Sequence, residues 1–253
     1  MTEQPQPRDA ANWARPSAEG LHVGHELPPE AVNLNVEGRR VTGVAGGFGK
    51  MWQKTYTLSL AGSSATPQQV VKAWKEHFPE FWPKGNFFFA PLTGVRPGDV
   101  VPLQLKLPGG LKMRTGILVV YADDESFSYI MPEGGMFGGM ITFRANVRDG
   151  ATTAEVQALV RAADPLYEAG MMVGIAHRME DKQWKHVLHQ LGRHFGVDTA
   201  PTMDRTLVDK KRQWKHARNL RKNAALKSSV YMLGAPFRAI AKPFKKKSAA
   251  APQ

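Results

Sequence analysis

Hydrophobic positions in this chain recur at every second residue first and at every third or fourth later, and the change of period predicts the elements. In residues 51–60, M-W-Q-K-T-Y-T-L-S-L, the side chains of Trp52, Tyr56, Leu58 and Leu60 share one face, as in a half-buried strand. Thr66 and Pro67 then supply a helix cap and a first-turn proline. Val70, Val71, Trp74 and Phe78 form the buried stripe of that helix, and Pro79 ends it. Strand-like runs follow at 86–90, 100–107, 113–121, 125–131 and 140–147, separated by R-P-G-D, P-G-G, A-D-D and P-E-G-G, with R-D-G after the last. Successive strands on short turns predict an antiparallel meander with one buried face. Residues 153–163 are expected to be helical. Asp164 and Pro165 start a second helix to about residue 195, striped by Met172, Ile175, Ala176, Met179, Val187, Leu188, Leu191 and Phe195. Such a helix is about 45 Å long, enough to cross a sheet, with a bend expected at Gly170 and Gly174.

The stretch E-G-G-M-F-G-G-M-I-T-F, residues 133–143, poses a choice between a phosphate loop and a softened strand. A phosphate cradle needs its glycines between a strand and a helix N-terminus. Here a strand pattern follows, with neither G-K-[ST] nor G-x-G-x-x-G spacing. The glycines are expected to form a hairpin loop or to let the sheet bulge and curl.

Charge divides the chain. Of 34 Lys and Arg, 14 lie from Arg205 onward beside a single acid, Asp209, so a near-neutral body carries a basic end. Residues 1–46 lack periodicity and read as an irregular or partly disordered lead-in, 47–200 as the folded domain, 201–230 as a basic helix docked through Trp214, and 231–253 as a Pro/Lys-rich tail. The absence of cysteine excludes disulfides, thiolate catalysis and Cys-ligated zinc. No signal-peptide pattern or long apolar run is present, so a cytoplasmic chain is expected.

Motifs for catalysis are sparse. His177, His186, His189 and His194 lie on the long helix without an H-E-x-x-H motif and read as its polar faces, so no metal or other cofactor is expected. No serine sits in G-x-S-x-G, and Asp164 and Glu168 are explained as a cap and a first-turn acid. Met113, Met131, Met140, Met171, Met172 and Met179 fall on elements that should face one another, as either a packed core or an adaptable pocket.

Several stretches carry a family resemblance: F-G-K-M-W-Q-K-T-Y, F-P-E-F-W-P-K-G, L-T-G-V-R-P-G-D, G-I-L-V-V-Y-A-D-D-E-S-F-S-Y, A-A-D-P-L-Y-E and V-D-K-K-R-Q-W-K-H-A-R-N-L-R-K-N-A-A. Together with the element order, they resemble an actinobacterial branch of the START-like (SRPBCC, Bet v 1-like) superfamily over roughly residues 47–232. The resemblance implies an α+β helix-grip fold, a curved antiparallel sheet wrapped around a long C-terminal helix. It also implies a cavity for lipid-like, polyketide-like or other apolar ligands. On this fold the expected lining is Tyr56, Met113, Ile117, Phe127, Tyr129, Met131, Phe143, Met172, Ile175 and Met179, with Tyr56 and Tyr129 as polar handles. No catalytic residue carries over. Binding or carriage is the leading expectation. An enzyme of cyclase or dehydratase type, with Tyr56, Tyr129 or Glu168 as acid/base groups, is the alternative. In the tail, Phe237, Ile240 and Phe244 beside Lys245, Lys246 and Lys247 suit an anionic membrane surface at the inner face. Nucleic acid is a lesser expected partner of the basic end.

Overall fold

The structure, a computed structural model, describes residues 10–15, 19–89, 91 and 95–234. Among the described residues eight strands form one antiparallel sheet. They are β1 (Met51–Ser59), β2 (Phe87–Phe88), β3 (Val100–Lys106), β4 (Lys112–Ala122), β5 (Ser126–Ile130), β6 (Phe137–Arg148), β7 (Ala151–Ala162) and β8 (Thr202–Asp209). Their spatial order is β2-β3-β4-β5-β6-β7-β1-β8, so the meander closes back on the first strand and β8 forms an edge. Among the described residues four α-helices accompany the sheet: α1 (Pro67–His77), α2 (Pro165–Met172), α3 (Ile175–His194) and α4 (Ala224–Leu233).

Local chemistry fixes several element ends. Thr66 accepts from the Gln69 backbone N–H while Gln69 Oε1 accepts from the Thr66 N–H, a reciprocal cap on α1. Asp149 and Gly150, both at positive φ, turn β6 into β7 as a two-residue hairpin. The core lies on the face covered by α1 and α3. Phe143 is its centre: it stacks on Phe127 at 4.5 Å and meets Trp74 of α1 and Trp184 of α3 edge-on at 5.2 and 5.4 Å.

Residues 153–163 are not helical, contrary to expectation. Ala154, Val156, Ala158, Val160 and Ala162 are all buried at alternate positions of β7, which pairs with β6 on one side and β1 on the other. Alanine-rich composition favours a helix, but the two-residue period and two-sided pairing prevail. Residues 202–209 likewise form the strand β8 rather than part of a basic helix. Trp214, expected to dock that helix, is 73% exposed and, among the described aromatic rings, touches only the edge of Phe48. The segment is instead anchored by Asn219, which donates to the carbonyls of Gly46 and Ala163, and by buried Asn223, which donates to Asp164.

The long helix breaks where glycine weakens it. Gly174 adopts φ +75°, separating α2 from α3. The resulting change of phase leaves Met172 and Ile175 66% and 43% exposed, outside the buried stripe. The lead-in is irregular in its described part, yet Leu21 and Val36 are buried against Val100 on the sheet face away from the main core.

The glycine-rich stretch joins β5 to β6. Gly134 has φ +88°, and a Cβ there would lie 2.0 Å from the Lys222 carbonyl oxygen. Its own carbonyl accepts from the Ala224 N–H at 2.8 Å. This glycine admits a neighbouring backbone, as a softened sheet connection does.

Candidate functional site

Between α3 and strands β3, β5 and β6 lies a cavity of about 80 Å³. Leu103, Tyr129 and Ile141 line it from the sheet; Met131, Met136 and Phe137 from the β5–β6 connection and the start of β6; Met179, Glu180, Gln183 and Trp184 from α3. Trp82 closes one side. Asn86, Lys106, Met179 and Gln183 also line an outer recess that adds Lys84 and Lys182, so the mouth is basic. Asn86 orders this rim: it donates to Gln183 Oε1 and accepts from the Lys106 N–H, each at 2.8 Å.

A buried charge cluster backs the cavity. Lys54 of β1 is fully buried, with Nζ 2.8 Å from both Asp181 Oδ1 and Glu180 Oε2. The Tyr56 hydroxyl donates to the same Asp181 oxygen at 2.7 Å. Burial pushes Asp181 upward, but hydrogen bonds from Lys54 and Tyr56 outweigh it and hold the carboxyl below its usual range. Glu180 goes the other way: burial raises it above the usual carboxylate range despite the Lys54 charge. One cation thus serves two carboxylates, and Glu180 is the member disposed to take a proton. Burial, and then the negative charge of Glu180, raise Tyr56; the same two causes raise Tyr129. His177, edge-on to Trp52 at 5.0 Å, is lowered to about 4 by burial and by the charges of Lys54 and Arg205.

Polar atoms without partners collect here. Among the described residues, Trp82 Nε1, both Glu180 carboxylate oxygens, Gln183 Nε2 and Trp184 Nε1 are sealed from solvent and make no hydrogen bond. Glu180 Oε2 is nonetheless ion-paired with Lys54 Nζ at 2.8 Å. All four side chains line the cavity.

Of the residues expected to line a pocket, Tyr129, Met131 and Met179 do so. Met113, Ile117, Phe127 and Phe143 are fully buried in the packed core, Tyr56 is held by Asp181, and Met172 and Ile175 face outward. Glu168 is committed elsewhere, accepting from Arg212 at 2.8 Å and from the Lys50 N–H at 3.3 Å. The histidines of α3 are dispersed: His189 pairs with Asp198, and His194 lies among His77, Phe81 and Phe195. Among the described residues no group of three His, Asp or Glu side chains could hold a metal. Phe237, Ile240, Phe244, Lys245, Lys246 and Lys247 lie outside the described residues. No described helix is long and apolar enough to cross a membrane.

Lys54, Glu180 and Asp181 were not singled out by pattern. Lys54 shares the inward parity of Trp52, Tyr56 and Leu58, and Glu180 falls at the buried phase of α3 between Ala176 and Trp184. Opposite charges at two core-facing positions were the available signal.

A curved antiparallel sheet with a long helix packed across its inner face defines the architecture. This is a helix-grip fold. No family model and no curated protein matches the chain. Among solved structures it is similar to a START superfamily protein from Mycobacterium smegmatis, with 20% identity and a TM-score of 0.40 over 58% of this chain and 98% of that one. It is also similar to Ara h 8.0201, at 12% and 0.41 over 57% and 97%. The di-domain ARO/CYC StfQ from the steffimycin biosynthetic pathway gives 13% and 0.42 over 58% of this chain and 50% of that one. The helix-grip assignment rests on the strand order and the seat of α3, not on these values.

Proposed function

We propose that this protein binds or carries an apolar, lipid- or polyketide-like small molecule between the sheet and α3. The observation that carries this reading is the cavity wall of Met131, Met136 and Met179 around Glu180, opening to a basic mouth. About 80 Å³ is less than most ligand pockets enclose. Three unbranched thioether side chains can move aside for a larger guest, which supports binding by expansion. The basic tail, through Phe237, Ile240, Phe244, Lys245, Lys246 and Lys247, would bring the domain to an anionic membrane surface, from which such a guest is drawn.

A second reading is an enzyme of cyclase or dehydratase type on an aromatic or polyketide-like substrate. The buried carboxyl of Glu180, raised by desolvation and lining the cavity, favours it. Tyr56 and Glu168 do not, being engaged by Asp181 and Arg212.

The experiment is native mass spectrometry of the full chain purified from its own host, followed by denaturation to release anything bound. An apolar molecule released in stoichiometric amount supports binding, and its chemical alteration on incubation supports turnover. Protein that is ligand-free and takes up no neutral hydrophobic dye overturns both. Vesicle sedimentation then tests the tail, and stronger retention on duplex DNA than on anionic vesicles favours nucleic acid as its partner.

A further inference from the structure

Away from the cavity, the joint between α2 and α3 presents apolar and cationic groups side by side. Gly174 turns the chain there with φ +75°, and Met172, Val173 and Ile175 around the turn are 66%, 62% and 43% exposed. Beside them lies a recess of about 450 Å³, lined by Lys50, Trp52, Glu168, Met172, Arg205 and Arg212 among others. Arg205 sits over the Trp52 ring at 5.3 Å. Arg212 donates to Glu168, the one acid among the described lining residues, at 2.8 Å and reaches Met172 Sδ at 3.2 Å, which ties the cations to the apolar turn. Among the described residues neither the Lys50 ammonium nor the Arg205 guanidinium has a carboxylate partner. Three cations thus meet one acid, and two positive charges are left unmatched.

An occupant that fits must offer negative charge and, a side-chain length away, an apolar medium. A second copy of this chain brings like charge, at +12 each. An acidic peptide or a nucleic acid would satisfy the cations and leave Met172 and Val173 in water. An anionic bilayer supplies both, with phosphate at its surface and hydrocarbon just below. We propose that the α2–α3 joint docks on an anionic bilayer, a lipid phosphate seated between Lys50 and Arg205 while Met172, Val173 and Ile175 enter the acyl layer. The contact belongs to the folded domain and does not depend on the basic tail.

The chain contains no cysteine, so a single label can be placed at will. Val173→Cys and Val147→Cys, each in the full chain, carry a polarity-sensitive fluorophore. Val147 is 63% exposed near the end of β6 that lies away from α2. Vesicles of phosphatidylglycerol in phosphatidylcholine should shift the label at position 173 to the blue and leave that at 147 unchanged. Lys50→Gln with Arg205→Gln should weaken vesicle binding about thirtyfold, or about fivefold for each charge removed. Thermal unfolding checks that this variant folds; if it does not, the label at 173 still decides. Sedimentation with anionic vesicles while the label at 173 stays in water means that the tail holds the protein, and overturns the inference with the tail reading intact. An equal shift with phosphatidylcholine alone overturns the phosphate seat. Retention on duplex DNA that needs Lys50 and Arg205, with no shift on vesicles, overturns the bilayer as occupant. No binding to anionic vesicles overturns the joint and the tail together.

Discussion

Lys54 of β1 and Glu180 of α3 face each other inside the protein, Nζ to Oε2 at 2.8 Å, with side chains 0% and 3% exposed. The pair joins sheet to helix at the cavity and leaves the carboxylate short of hydrogen bonds. Charges so far from water are maintained by their counter-charges, Lys54 by Asp181 as well as Glu180, and removing one costs more than replacing a pair.

Lys54→Met should therefore destabilise the protein by about 3–5 kcal/mol, since it leaves Glu180 buried without a counter-charge. Lys54→Met with Glu180→Leu should recover a measurable part of that loss. Urea unfolding of the two variants checks this. A double variant no more stable than the single one would show that the pairing does not set the cost.

His177 should make stability fall as the solution is acidified. Its folded value is about 4 against 6.5 for the free side chain, so the unfolded chain takes up the proton first. The contribution is complete above pH 6.5 and is lost as pH falls from 6.5 to about 4. Glu180, whose folded value is raised, works in the opposite sense, gaining its proton in the folded state above 4.5. His177→Phe, which keeps a ring against Trp52, should flatten the acid loss. Glu180→Gln should steepen it. Melting temperatures recorded between pH 4 and 7 give both slopes.

Met179→Trp should abolish binding of any cavity ligand. The larger side chain fills a space of about 80 Å³ beside Trp184. Its cost in stability should stay within the ~1–3 kcal/mol of overpacking. Titration with a neutral dye, alongside thermal unfolding, distinguishes a filled cavity from a damaged fold; undiminished binding would place the ligand elsewhere.

Gly134→Ala should loosen the C-terminal segment. The new Cβ would sit 2.0 Å from the Lys222 carbonyl oxygen at a φ of +88°, so the backbone must shift at a cost of about 1–3 kcal/mol. The Ala224 N–H, which donates to Gly134, should then exchange with solvent faster than in the parent. Hydrogen exchange at that amide reads the effect directly.

Much of the framework was legible because it is written in short-range patterns. Alternation and turn chemistry gave the strands from Val100 to Ile130, the Thr66–Pro67 cap gave α1, and Gly174 marked the break in the long helix. Where two local signals conflicted, the wrong one prevailed. β7 is alanine-rich, and its strand identity comes from partners on both sides; β8 exists because β1 has a free edge to pair with.

The sequence by itself determined β1, α1, the meander from Val100 to Ile130, the basic end and the small polar or glycine-bearing turns, since each depends on residues a few positions apart. Tertiary structure alone decided which inward-facing residues fill the core and which border the cavity. Phe127 and Phe143 satisfy one another by stacking, whereas Tyr129, Met131 and Met179 are left at its edge. It also decided that Lys54 and Glu180, more than a hundred residues apart in the chain, meet in a space that water does not reach. Burial is a property of the assembled layers, and so is the chemistry that burial confers on a carboxylate.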